Sequence, residues 1–221
     1  KQQCNRKHKL FYASVLSILM ATFSASFNTL NAQQTQLPLP QKSSVKTSLM
    51  NALQNRHSVR SYKNKTISDQ TLSNLLWAAN GVNRNDGRRT APSAINAQDI
   101  ELYVGKSDGT YHYLASENKL EKVNNENFIN LVIGRNKFAL DAPIVILLVS
   151  NGANFHGHNP SLYGAMDAGY VSQNICLYCA ADGLGTVPCA PKMDAAAIQK
   201  FLGVSTDYTP MIYHPIGYTE K

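Results

Sequence analysis

The chain has 221 residues, 43% hydrophobic and 16% charged side chains and a formal charge of +7, enough for one domain with a sizeable core. Four of its cations, Lys1, Arg6, Lys7 and Lys9, crowd the start with no acid among them, and without residues 1–32 the charge falls to +3. A scattered +3 gives no electrostatic footprint for nucleic acid and suits a protein that holds a small anion.

Residues 1–32 pair that basic start with a mostly apolar run over residues 10–27 and end on Ala32. This pattern predicts a secretory signal peptide, cleavage after about Ala32, and an exported, periplasmic mature protein with no stable membrane association. An uncleaved anchor is the alternative, because the run approaches the ~18 residues of a membrane span. The mature chain would keep Cys176, Cys179 and Cys189, an odd number that leaves at least one thiol unpaired. Residues 33–45 are rich in Gln, Pro and Ser and read as a flexible lead-in to a single domain over residues 46–221.

A helix over residues 46–55, with Leu49, Met50 and Leu53 at helical spacing, delivers the heptad Arg56-His57-Ser58-Val59-Arg60-Ser61-Tyr62. Two guanidiniums around a hydroxyl suit a phosphate, since each can make paired charge-assisted bonds to its oxygens. Ser68 caps a second helix over residues 69–80, with Leu72, Leu75, Leu76 and Ala79 on one face, Trp77 in the core and Gly81 at the end. Residues 82–89 form a loop. Residues 100–104 and 110–114 alternate on either side of Ser107-Asp108-Gly109, a hairpin pattern. Residues 125–140 read as helix, and residues 144–149 as a strand buried on both faces. A long helix over residues 161–182, a short extended piece at 186–188, a helix at 194–202 and a strand at 210–218 complete the chain. Helices and strands interleave around a hairpin, which predicts an α+β fold with a mixed, mainly antiparallel central sheet flanked by helices.

Three further segments bear on chemistry. Between the loop and the hairpin stands Arg88-Arg89-Thr90-Ala91-Pro92-Ser93-Ala94-Ile95-Asn96-Ala97-Gln98, with hydroxyl and amide groups able to read a heterocycle. The long helix ends in Gly183-Leu184-Gly185-Thr186-Val187-Pro188, where a helix cap and a tight turn account for both glycines. The last strand closes on Pro215-Ile216-Gly217-Tyr218.

In this order, RxSxR, APSxxNxQ, GLGTVP and PIGY resemble the FMN-dependent nitroreductase superfamily over about residues 46–218. The hairpin with Asp108-Gly109-Thr110-Tyr111-His112-Tyr113 looks closer to the branch with azoline-oxidising dehydrogenases, although that branch's Lys-Tyr pair is replaced here by His156-Gly157-His158-Asn159-Pro160 before Tyr163. The resemblance implies FMN as cofactor and a domain-swapped homodimer with flavins at the interface. It implies that Arg56, His57, Ser58 and Arg60 hold the phosphate and ribityl chain, that Pro92 and Ser93 line the partner's flavin, and that Asn96 meets the ring edge. It further implies that Gly183, Leu184 and Gly185 run along the ring and bring Cys189 and Ala190 to N5, where relatives carry a Glu-Gly pair. Many relatives add a basic residue from a C-terminal extension; only Thr219, Glu220 and Lys221 follow Tyr218, so Arg88 or Arg89 is expected to support the phosphate.

The expected activity is ping-pong hydride transfer through flavin N5 to a small electron-poor acceptor such as a nitro compound or quinone, with NAD(P)H as donor. A flavin dehydrogenase of peptide-derived substrates working without NAD(P)H, and a non-catalytic flavin-binding module, are the alternatives. Cys176 and Cys179 read as packing thiols. His156 and His158 lack companions for a metal set.

Overall fold

The computed structural model describes residues 33–42 and 47–219, so the proposed signal segment lies outside the described residues. Among the described residues seven strands form one sheet: β1 (Gln34–Gln36), β2 (Ile100–Lys106), β3 (Gly109–Leu114), β4 (Lys119–Asn124), β5 (Ile144–Asn151), β6 (Leu184–Thr186) and β7 (Tyr208–Tyr218), in the order β1-β4-β3-β2-β5-β7-β6. The helices are α1 (Leu49–Asn55), α2 (Asp69–Asn80), α3 (Ile129–Val132), α4 (Pro160–Asp182) and α5 (Ala195–Leu202).

The sheet is antiparallel between all neighbours rather than mixed. The long helix α4 does connect two strands that run the same way, β5 and β6, as in a parallel crossover. The closing strand β7 sits between them, paired antiparallel to both, and this insertion abolishes the parallel pair.

β5 is buried from Ile144 to Val149, as its continuous apolar run requires. Ile144, Ile146 and Leu148 face a core closed by α2 and α4, while Val145, Leu147 and Val149 face a second core closed by α3 and α5. The helix α2 starts at Ser68, whose hydroxyl accepts from the Thr71 amide, and ends at Gly81, with Leu72, Leu75, Leu76 and Ala79 buried. Trp77 is only half-buried, on the flank of α2; its ring nitrogen donates to the Val82 carbonyl at 3.0 Å.

Two expectations fail for a common reason. The lead-in contains an edge strand, β1, because Gln34–Gln36 pair with β4 while Leu37 enters the core at 2% exposure. The helix expected over residues 125–140 is instead the single turn α3 and a 3-10 turn (Lys137–Asp141), separated at Gly134 with φ 54°. In both places long-range pairing or packing overrides a weak local pattern.

His214 on β7 is fully buried between Ser172 of α4 and Thr186 of β6, with ring nitrogens 2.9 and 3.1 Å from the two hydroxyls. Burial pushes its pKa down to about 3, so the native state keeps the ring neutral. Its contribution is therefore intact above the unfolded pKa of about 6.5 and is lost as pH falls toward the folded value. His214→Gln should lose less stability than the parent between pH 7 and pH 4, by roughly 3 kcal/mol in urea melts. Parallel pH dependences would show that the ring takes up its proton as readily in the native state as in the unfolded chain.

Candidate functional site

The heptad follows α1, which begins at Ser48 and ends at Arg56, where the backbone turns extended. Residues 57–62 then run beside β6, and the Val59 amide donates to the Thr186 carbonyl at 3.0 Å. Buried Tyr62 fixes the far end: its hydroxyl donates to the Val59 carbonyl at 2.8 Å, with the Pro215 carbonyl at 3.3 Å. Gly185 explains the close approach, since a Cβ there would stand 2.5 Å from Val59 Cγ1. This glycine lies within β6 and not in a turn. Gly183, at φ 71°, is the α4 cap, and buried Leu184 packs into the core.

On this pinned backbone Arg56 is half-exposed and His57, Ser58 and Arg60 are exposed. His57 Nδ1 donates to the Asn55 carbonyl at 2.7 Å. Among the described residues neither Arg56 nor Arg60 forms an ion pair. Two open, unneutralised guanidiniums on a fixed frame are what a phosphate requires.

The chain after β6 carries Cys189 to Tyr213, with which it exchanges backbone bonds of 2.9 and 2.8 Å. The Tyr213 hydroxyl accepts from Asn136 Nδ2 at 3.0 Å, and the Arg60 guanidinium lies 5.8 Å from the Phe138 ring centre. Asn136, Phe138 and Tyr213 thus join the heptad and Cys189; Tyr213 belongs to the closing segment that ends in PIGY, whereas Asn136 and Phe138 lie in a stretch that reads as helix. Gly134-Arg135-Asn136 was the available signal, a turn hidden inside an apparent helix. Ala190 is exposed beside buried Cys189. Burial pushes the Cys189 thiol up, against a hydrogen bond to Tyr213 and the charge of Arg60, so it remains protonated at neutral pH. Cys176 and Cys179 are free, buried thiols, also pushed up by burial.

Residues 92–98 form a strap elsewhere. Pro92 and Asn96 are exposed, Ser93 Oγ accepts from the Gln98 amide at 2.9 Å, and the Ala94 amide donates to the Asp167 carboxylate at 2.9 and 3.1 Å. Ile95, Asn96 and Gln98 have φ of 49°, 57° and 48°. Left-handed backbone costs such residues on the order of 1 kcal/mol each, so the strap is held by its surroundings.

The strap and the heptad occupy opposite ends of the sheet. The heptad adjoins the start of β5 through Ile144 and Ile216, whereas the Asn151 amide at its other end donates to the Asp99 carbonyl beside the strap. Eight residues of strand span roughly 25 Å. Within one chain Asn96 therefore cannot meet a group bound between Arg56 and Cys189. Arg89 also stands at the strap end, with Nη1 donating to the Ile100 carbonyl at 2.9 Å, so it cannot reinforce the heptad of its own chain. A cleft of about 540 Å³ opens there, lined by Arg84, Arg89, Gln98, Glu101, His112 and Tyr113 among others.

The model of the nitroreductase family matches residues 53–218. A Methanocaldococcus jannaschii protein that carries the name nitroreductase is 29% identical over 194 residues, which are 82% of this chain and 96% of that protein. A Ralstonia eutropha structure, also named as a nitroreductase, superposes with a TM-score of 0.79 at 29% identity, over 86% of this chain and 92% of its own. An FMN-dependent nitroreductase from Clostridium difficile shares the fold, with a TM-score of 0.57 at 22% identity over 78% of this chain and 88% of its own.

Proposed function

The chain belongs to the nitroreductase family and is an oxidoreductase, and from that premise we propose that it binds FMN between the heptad of one copy and the strap of a second. The unpaired Arg56 and Arg60 on their pinned backbone carry this reading. They would hold the phosphate, with Ser58 as a further donor, while Leu184 and Gly185 lie alongside and Ala190 offers its backbone amide toward the ring, the Cys189 amide being committed to the Tyr213 carbonyl. Bound FMN supplies the hydride chemistry, so that donor and acceptor use one place in turn. The residues here bind, orient and exclude water; the neutral Cys189 thiol is no nucleophile.

The opposite placement of strap and heptad supports a homodimer. So does the exposed apolar face of Leu49, Met50 and Leu53 on α1 with Leu162, Met166 and Tyr170 on α4, between 43% and 71% accessible. Leu162, Met166 and Tyr170 lie in the N-terminal half of α4, whereas Cys176 and Cys179, in its C-terminal half, line a recess with His57 and Val59. Antiparallel packing of α4 on a second α4 would bring each strap toward the other copy's heptad.

The substrate on this reading is a small electron-poor acceptor, a nitro compound or quinone, and the donor is NAD(P)H. The basic and apolar start of the sequence favours a second reading, export to the periplasm and oxidation of a peptide-derived substrate without NAD(P)H. Anaerobic titration of the FMN-loaded protein separates them. Bleaching of the flavin bands by one equivalent of NADH and recovery with a quinone are expected; bleaching by neither nicotinamide would select the second reading, and failure to take up FMN would overturn both.

A further inference from the structure

Behind the strap two carboxyl groups are buried side by side. Asp99, at the entrance to β2, is 0% exposed, and Asp167 of α4 is 2% exposed. Asp99 Oδ2 accepts from Ser150 Oγ of β5 at 2.6 Å, while its Oδ1 is buried without a donor among the described residues. The group facing it is the Asp167 side chain, which is itself an acceptor, engaged with the Ala94 amide through both oxygens. With both carboxyls ionised the Asp99 Oδ1 would stay orphaned, and two like charges would share a dry contact.

The other groups packed here offer no neutralisation. From α2 comes Asn80, whose Nδ2 donates to the Ile100 carbonyl at 2.8 Å. Arg89 is the cation that faces Asp99, but its Nη1 is committed to the same carbonyl, its Nε has no partner, and it forms no ion pair among the described residues. The void between these groups is about 10 Å³, too small for a hydrated cation. One proton placed between the carboxyls supplies the missing donor and removes the repulsion.

We propose that Asp99 and Asp167 share one proton and act as a positioning pair, holding residues 92–98 in their left-handed conformation so that Asn96 is presented to the flavin site of the second copy. The presentation to flavin rests on the function proposed above; the pair itself does not. Burial first, and then Asp167, push the Asp99 carboxyl up to about 7, while the Ser150 bond acts the other way. The folded state therefore keeps a proton that the unfolded chain loses above about pH 4. The stability due to this group declines as pH rises from about 4 to 7, and the strap loosens once Asp99 gives up that proton.

Infrared spectra and amide exchange of the full protein test this between pH 5.5 and pH 9. A protonated-carboxyl band should vanish with a midpoint near 7, and exchange at the Ala94 amide, corrected for intrinsic base catalysis, should accelerate about tenfold. Asp99→Asn, whose amide can donate to Asp167 and accept from Ser150, should lack the band and keep slow exchange throughout. Asp167→Asn is the second variant and should also abolish the band. FMN affinity should weaken more on the alkaline side in the parent than in Asp99→Asn, a split that a merely structural role would not produce. Absence of a titrating band, or equal acceleration in parent and Asp99→Asn, overturns the pair and leaves the FMN assignment standing. Failure to bind FMN at any pH overturns the assignment and leaves the pair standing.

Discussion

Replacing Arg56 and Arg60 together by alanine should weaken FMN binding by a hundredfold or more while the fold and its melting temperature change little. Charge-assisted hydrogen bonds contribute about 1.5 to 3 kcal/mol each, and tenfold in affinity corresponds to about 1.4 kcal/mol. Loss of two such groups at one phosphate is therefore a large effect even if they are not additive. The fold should tolerate it because the heptad's backbone is held by Val59, Tyr62 and Gly185, not by the guanidiniums. Arg60, itself exposed, also lies over the half-buried Phe138 at 5.8 Å, a contact that contributes little to stability by comparison. Fluorescence titration of the apoprotein with FMN measures the change. Unaltered affinity would remove the phosphate from the heptad, and lysines at both positions should recover only part of the binding, since an ammonium cannot reproduce the paired geometry.

Met166→Glu should convert the protein to a monomer and abolish FMN binding together. Met166 is 46% exposed in the single chain, so a carboxylate there costs the isolated fold little. In a twofold interface the same substitution occurs twice on one face, and burying unpaired charge costs several kcal/mol. Sedimentation or light scattering reports the mass, and the flavin bands report the cofactor. The joint outcome matters most. A monomer that retains FMN would show that one chain completes the site, contrary to the roughly 25 Å separation of strap and heptad. A dimer that survives Met166→Glu would place the interface elsewhere than on α1 and α4.

The elements legible in the sequence were those whose local signals and long-range burial agree. Ser68 and Gly81 bracket α2 because cap chemistry is local, and the short apolar run of β5 suits a strand covered on both faces. β1 and β4 were not legible, because edge and near-edge strands rich in Gln, Lys and Glu resemble solvated loop and acquire their structure by pairing. The antiparallel order escaped as well, since the insertion of β7 between β5 and β6 leaves no mark on either segment.

For the site, sequence alone determined which residue types could hold an anion: the Arg56, Ser58 and Arg60 side chains follow one another within a single short segment, and spacing suffices to bring them together. The glycines at 183 and 185 were also visible, though only the fold separates the roles of a cap with φ 71° and a strand position crowded by Val59. Tertiary structure decided what lies far apart in the chain. It carried Asn136, Phe138 and Tyr213 to the heptad, moved Arg89 and Asn96 to the opposite end of the sheet, and set Asp99 against Asp167. Such contacts depend on strand order and on the path of α4, which are properties of the whole packed core and are encoded in no single segment.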